Sequence, residues 1–222
     1  MAEKKLVLIT GGARSGKSSF AVQLASGLGE MVLYIATAEV GDSEMEARII
    51  RHRNNRPSSW RTIEVTEEPK TALKEAGESE VILVDCLTLL VSNVMLKEIG
   101  GDMGQGSEDR GQELRVRSQE SKVVGYESLV ESNEAWDRPD EMERIEGRIV
   151  KIVKETLKAA KEIKSTVIIV TNELGLGIVP PYPLGRFYRD LMGTVNQQVA
   201  TAADEVYFIV SGIPVKIKGE GS

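Results

Sequence analysis

Close to its amino end the chain carries GGARSGKS, Gly11 to Ser18, directly after the apolar run Leu6 to Ile9. Gly, four residues, Gly, Lys, then Ser or Thr is the spacing of a loop that cradles phosphate. The glycines let successive backbone N–H groups turn toward one point. The pattern KSSFAVQLASGL that follows predicts a helix, whose positive dipole end faces that same point. Lys17 then reaches the β and γ phosphates of a nucleoside triphosphate, and the Ser18 hydroxyl serves as a ligand for Mg2+. A strand before the loop and a helix after it argue against an ordinary glycine-rich turn.

Short, branched, unbroken apolar runs recur at Val32–Ala36, Val81–Val84, Val167–Val170 and Val206–Val210. Such runs suit strands covered on both faces, so the expected fold is α/β: a P-loop NTPase-type, mostly parallel sheet with helices on both sides. Met142, Ile145, Ile149, Ile152, Val153, Thr156, Ala160 and Ile163 keep helical spacing and predict the longest helix. A shorter helix is expected from Asp42 to about Arg53, capped by Asp42 or Ser43. The tail VYFIVSGIPVKIK reads as two strands around a turn at Gly212 to Pro214, a hairpin at the sheet edge.

The 222 residues suit one domain with an insertion. Of the chain's 34 acidic and 28 basic side chains, 13 and 5 fall between residues 98 and 143. That stretch therefore carries a net −8, and the rest of the chain +2, against a total of −6. Polar and rich in Gly, Ser and Glu, it reads as an acidic, mobile insertion, either a solvated loop or a lid. The negative total argues against nucleic acid as a partner. Cys86 is the one cysteine, which excludes an internal disulfide and suits a reducing compartment. Lys4 and Lys5 precede Gly11 too closely for a secretory apolar segment, and no run is long enough to span a membrane, so a cytoplasmic enzyme is expected.

Beyond the loop, Asp85 follows the run VILV and is placed to order Mg2+ through water from a neighbouring strand. Cys86 beside it has no partner base in view and reads as packing. His52, the one histidine, shares a helical face with Met45 and Ile49. Two readings stand at this point. One is a half-buried histidine that caps its helix. The other is a nucleophile toward a nucleotide phosphate, since a neutral imidazole attacks phosphorus without a separate base.

The chain then resembles a known family. TGGARSGKS, LYIATAE (Leu33–Glu39), EARIIRHRNNRPSSWRTIE, VDCLT, TNELGLGIVP (Thr171–Pro180), the run from Gly185 to Val206, and VSGIPVKIK occur in that order. Together they are similar to the bifunctional adenosylcobinamide kinase/adenosylcobinamide-phosphate guanylyltransferases of cobalamin biosynthesis. The likeness covers most of residues 5 to 218 apart from the acidic stretch. It implies two reactions. ATP or GTP phosphorylates adenosylcobinamide, and GTP then gives GMP to that phosphate through a GMP-histidine intermediate, forming adenosylcobinamide-GDP.

The resemblance implies His52 as the nucleophile, with Lys17 and Asp85 also catalytic. Some relatives carry two adjacent histidines, and the first of those positions is Arg51 here. The implied nucleotide contacts are Gly11, Gly12, Ala13, Arg14, Ser15, Gly16, Lys17, Ser18, Thr37, Ala38, Glu39, Arg53, Asn54, Asn55, Arg56, Glu64 and Asp85. Ser18 and Asp85 would hold Mg2+, the latter through water. Asn172, Glu173, Arg186, Arg189 and Asn196 are further polar candidates without assigned roles. A homotrimer is implied too. The alternatives are a P-loop small-molecule kinase without the guanylyl step, and a regulatory nucleotide-binding module; against the latter, no NKxD-type motif is found.

Overall fold

The computed structural model describes residues 4–38, 50, 56–102 and 139–220. One seven-stranded sheet organises them: β1 (Leu6–Gly11), β2 (Val32–Ala36), β3 (Arg61–Glu64), β4 (Val81–Asp85), β5 (Thr166–Val170), β6 (Glu205–Val210) and β7 (Ile213–Lys218). Their order across the sheet is β3-β2-β4-β5-β1-β6-β7. Every pairing is parallel except β6 with β7. Parallel strands need covered faces, and the five apolar runs supply residues that are apolar on both.

The helices are α1 (Lys17–Leu28), α2 (Pro69–Lys74), α3 (Leu87–Asp102), α4 (Pro139–Glu162) and α5 (Pro183–Ala202). The two faces are unequal. Leu6, Leu8, Leu33, Ile35, Ile82 and Val84 point into a large core with α2 to α5, while Val7, Ile9, Tyr34, Leu83 and Ile168 meet α1. The predicted longest helix is α4, which buries Ile145, Ile149, Val153, Leu157 and Ala160 along one stripe. Each fully buried aliphatic there is worth about 1.5–3 kcal/mol, so Ile149→Asp would detach the helix.

Three elements differ from expectation or escape it. The hairpin turn is Ser211–Gly212, one residue earlier than expected, because both adopt the left-handed region (φ 51° and 84°) and Val210 pairs with Ile213. The acidic stretch is helical at both ends, in α3 and α4, where Glu98 accepts from Arg144 at 2.6 Å and pairs with Arg148. Of the helix expected from Asp42 to Arg53, Ile50 is helical and the remainder lies outside the described residues.

Candidate functional site

The loop between β1 and α1 is built by its main chain. Gly11 (φ 152°) lies so close to β6 that a Cβ there would meet the Ile209 carbonyl at 2.5 Å. Gly16 is left-handed (φ 98°) and caps α1 without any side-chain hydrogen bond. The first N–H groups of α1 thus keep no side-chain cap, and no acidic residue stands in its first turn, which is the arrangement that binds an anion. Lys17 is buried and donates from Nζ to the Gly12 carbonyl at 2.6 Å, which folds its ammonium across the loop. Ser18 is half-buried in the first turn, Ala13 and Arg14 are exposed, and Ser15 Oγ is buried without a hydrogen-bond partner among the described residues.

Two neighbours brace this loop. Gly212 N of the hairpin turn donates to Ser15 O at 2.8 Å, and Glu173 N donates to Gly11 O at 3.0 Å. A Cβ on Gly16 would lie 3.2 Å from Gly212 Cα. Neither contact has a local signature, although the Ser-Gly turn and the TNE run after β5 are visible as letters.

The strand register sets the other side of the site. Ile9 pairs with Val170, Val170 with Asp85, Asp85 with Ala36, and Ala36 with Glu64, so the strands end in one row. Asp85 therefore sits on the same carboxyl edge as the phosphate loop, where α/β sheets bind ligands. Its strand is not the immediate neighbour of β1: β5 runs between them, which puts the two strand ends roughly 10 Å apart. The crossover that inserts β5 there is a tertiary choice. Glu64, exposed at the end of β3, stands four strands from β1, roughly 19 Å. At that separation it does not reach the phosphate loop.

Side chains lock the ends of β2 and β4 together. Thr37 is fully buried; its Oγ1 donates to Cys86 O at 2.7 Å and accepts from Cys86 N at 2.7 Å. Asn93 Nδ2 donates to Thr37 O at 2.9 Å. Tyr34 donates its phenol proton to Asp85 Oδ2 at 2.8 Å, and the Arg56 guanidinium lies 4.0 Å above the Tyr34 ring. Burial, then the Asp85 charge, hold the Tyr34 phenol far above its ordinary pKa, so it stays a donor. Burial, then Asp85, push the Cys86 thiol up to about 11, while the Lys17 charge pulls it down. A thiol held protonated is a poor nucleophile, in keeping with packing.

A second buried network ties β5 to α3 and α5. Thr171 Oγ1 donates to Asn196 Oδ1 at 2.8 Å, and Asn196 Nδ2 donates to Asn172 O at 2.9 Å. Thr88 Oγ1 lies 3.3 Å from Thr171 Oγ1 and accepts from Asn172 N at 2.8 Å. Asn196 is thus occupied in positioning a loop. Arg186 donates to the Pro181 carbonyl at 2.5 Å, Arg189 pairs with Asp190, and Glu173 accepts from Gly175 N, so these too hold local structure. Thr88 and Tyr34 have no motif that marks them, and Gly212 reads in the sequence only as a turn residue; a tyrosine in an otherwise aliphatic strand is the one available hint.

Of the expected contacts, Thr37, Ala38, Arg56 and Asp85 gather at the β2–β4 end, and Gly11 to Ser18 at the loop. Glu39, Arg51, His52, Arg53, Asn54 and Asn55 lie outside the described residues. The donor set suits Mg2+: a hydroxyl and a carboxylate are hard oxygen ligands, and Mg2+ takes its other positions from phosphate and water.

Comparison with known proteins identifies the family. The chain is 37% identical over 214 residues to the bifunctional adenosylcobalamin biosynthesis protein CobU of Escherichia coli, covering 96% of this chain and 99% of that one. It is 38% identical over 214 residues to the protein of the same name from Salmonella typhimurium, with the same coverage. It is 36% identical over 217 residues to CobP of Pseudomonas aeruginosa, covering 96% and 97%. A solved KaiC-like protein from Pyrococcus horikoshii overlays with a TM-score of 0.41 at 12% identity, over 94% of this chain and 72% of that one, too loosely to add to the sheet order above. The profile described as cobinamide kinase / cobinamide phosphate guanyltransferase matches residues 7–217, and the chain belongs to that family.

Proposed function

We propose that the chain phosphorylates adenosylcobinamide with ATP or GTP and then converts the phosphate to adenosylcobinamide-GDP with GTP. The observation that carries this reading is the loop-held Lys17, at an α1 start without a side-chain cap, on the same sheet edge as Asp85. In the first transfer the loop N–H groups and Lys17 hold the β and γ phosphates, and the substrate hydroxyl attacks the γ phosphorus. Little covalent work falls to the protein; positioning and charge neutralisation dominate. Ser18 and Asp85 would hold Mg2+, which when bound neutralises charge on the phosphates.

In the second transfer His52 attacks the α phosphorus of GTP. A P–N bond forms, the bond to the leaving oxygen breaks, and pyrophosphate departs with Lys17 facing it. A phosphate oxygen of the substrate then displaces the histidine and takes GMP. Arg56 lies over the Tyr34 ring, whose hydroxyl bonds to Asp85. In this reading Ala38 and Glu39, with buried Thr37 behind them, line the nucleotide site, and Arg53, Asn54, Asn55, Arg56 and Glu64 contact the guanosine part. GTP labelled at the α phosphate should leave an acid-labile, base-stable adduct on the protein. His52→Ala should abolish the adduct and keep kinase turnover; an adduct that survives refutes the assignment.

The same reading takes the protein as cytoplasmic and as a homotrimer. Ile213, Val215 and Ile217 are exposed along the edge strand β7, an apolar stripe of the sort that assembly covers. Light scattering on the eluting protein should return three times the chain mass.

A further inference from the structure

We propose that Tyr34 is a positioning residue of the triphosphate site: its hydroxyl orients Asp85 while its ring seats Arg56. The inference rests on the reading of Asp85 as the carboxylate that orders Mg2+.

Tyr34 is the middle residue of β2, which is otherwise Val32, Leu33, Ile35 and Ala36. It is 4% exposed and packs in the smaller core with Trp60, Val81 and Leu83. An aliphatic side chain would fill that place without bringing a polar atom into the interior, where an unpaired hydroxyl is costly. The phenol is not unpaired. Tyr34 sits opposite Leu83, two residues before Asp85, so its long ring crosses diagonally to the end of β4 and meets Oδ2 at 2.8 Å. A hydrogen bond to one carboxylate oxygen fixes the torsion of the group and thus the direction in which the other oxygen faces. Phenylalanine, the nearest side chain in shape, has no donor to offer at that point.

The outer face of the same ring carries the Arg56 guanidinium, 4.0 Å from the centroid. A cation over an aromatic face is held in place while its N–H groups stay available at the edges. One side chain therefore fixes a carboxylate and a guanidinium on the same side of the site. In the proposed reading the carboxylate would order Mg2+, and the guanidinium is a cation available to the nucleotide. Partners of ligating groups typically change metal affinity or activity by 10- to 100-fold when removed.

The test separates the two tasks by direct binding of a fluorescent, non-hydrolysable GTP analogue, titrated with Mg2+ and repeated with EDTA. Tyr34→Phe keeps the ring and loses the hydroxyl. It should raise the Mg2+ concentration for half-maximal binding about tenfold and leave the EDTA affinity within about twofold. Arg56→Ala should do the reverse, weakening binding in EDTA with an unchanged Mg2+ midpoint. Tyr34→Leu should show both defects. Melting curves confirm that each variant is folded, and Tyr34→Phe is nearly isosteric. Asp85→Asn is the reference. If it shifts the Mg2+ midpoint and Tyr34→Phe does not, the positioning role is overturned and the carboxylate reading stands. If Asp85→Asn shifts nothing, both fall together.

Discussion

The two sides of the site are made by different means. The phosphate loop is a main-chain object: Gly11 and Gly16 take conformations that L side chains avoid, and the loop's braces are backbone N–H groups from Gly212 and Glu173. The β2–β4 side is a side-chain object: Thr37 clasps both backbone groups of Cys86, and Tyr34 holds Asp85. A main-chain site is intolerant of an added Cβ and indifferent to most other changes. A side-chain site fails through the loss of single polar atoms. Mutations should therefore sort by side, and the following outcomes would sharpen that division or break it.

The largest effect is expected at Lys17, whose ammonium folds across the loop. Lys17→Ala should lower kcat/KM of the kinase step by about 10²–10³-fold and also weaken labelling by α-labelled GTP. Full kinase turnover in this variant would remove the loop from the mechanism. Next come the glycines. Gly16→Ala forces a left-handed alanine against Gly212 and should cost about 1–3 kcal/mol in denaturant unfolding. Gly12→Ala meets nothing within 4 Å and should leave stability within about 0.5 kcal/mol. Equal losses at Gly12 and Gly16 would mean that backbone strain is not what distinguishes them.

On the other side, Thr37→Val keeps shape and removes both bonds to Cys86. It should cost about 1–3 kcal/mol, read by chemical denaturation, because a buried N–H and C=O lose their partner. A neutral result would show that the β2–β4 clasp is ornamental to the fold. The smallest effect is expected at Cys86. Cys86→Ala should cost about 1 kcal/mol or less and preserve both transfers, as befits a packed thiol. Loss of either transfer with a normal melting point would give the sulfur a chemical role.

What could be read in advance follows the same line. The loop was legible because a main-chain cradle needs glycine at fixed spacing, and five strands were legible as unbroken apolar runs. The strand β3, RTIE, was not: it is an edge strand with exposed Arg61 and Glu64, so it lacks the apolar signal of the buried ones. The helix α3 was missed because its run LTLLVSNVML is apolar on most sides and keeps no clear stripe. Asp85 was legible as a carboxylate after a strand, but not its distance from the loop, which depends on β5 lying between.

Alone, the letters determined the anion cradle, the long amphipathic α4 and the edge hairpin, since each depends on contacts or conformations a few residues apart, and they marked five strands as buried on both faces through their unbroken apolar runs. The tertiary structure decided which strand ends became neighbours. Only that packing brings Tyr34 to Asp85, 51 positions later, and Gly212 to Ser15, nearly the whole chain away. Spacing along a chain carries no record of such pairings, because they are settled by how the sheet buries its two faces.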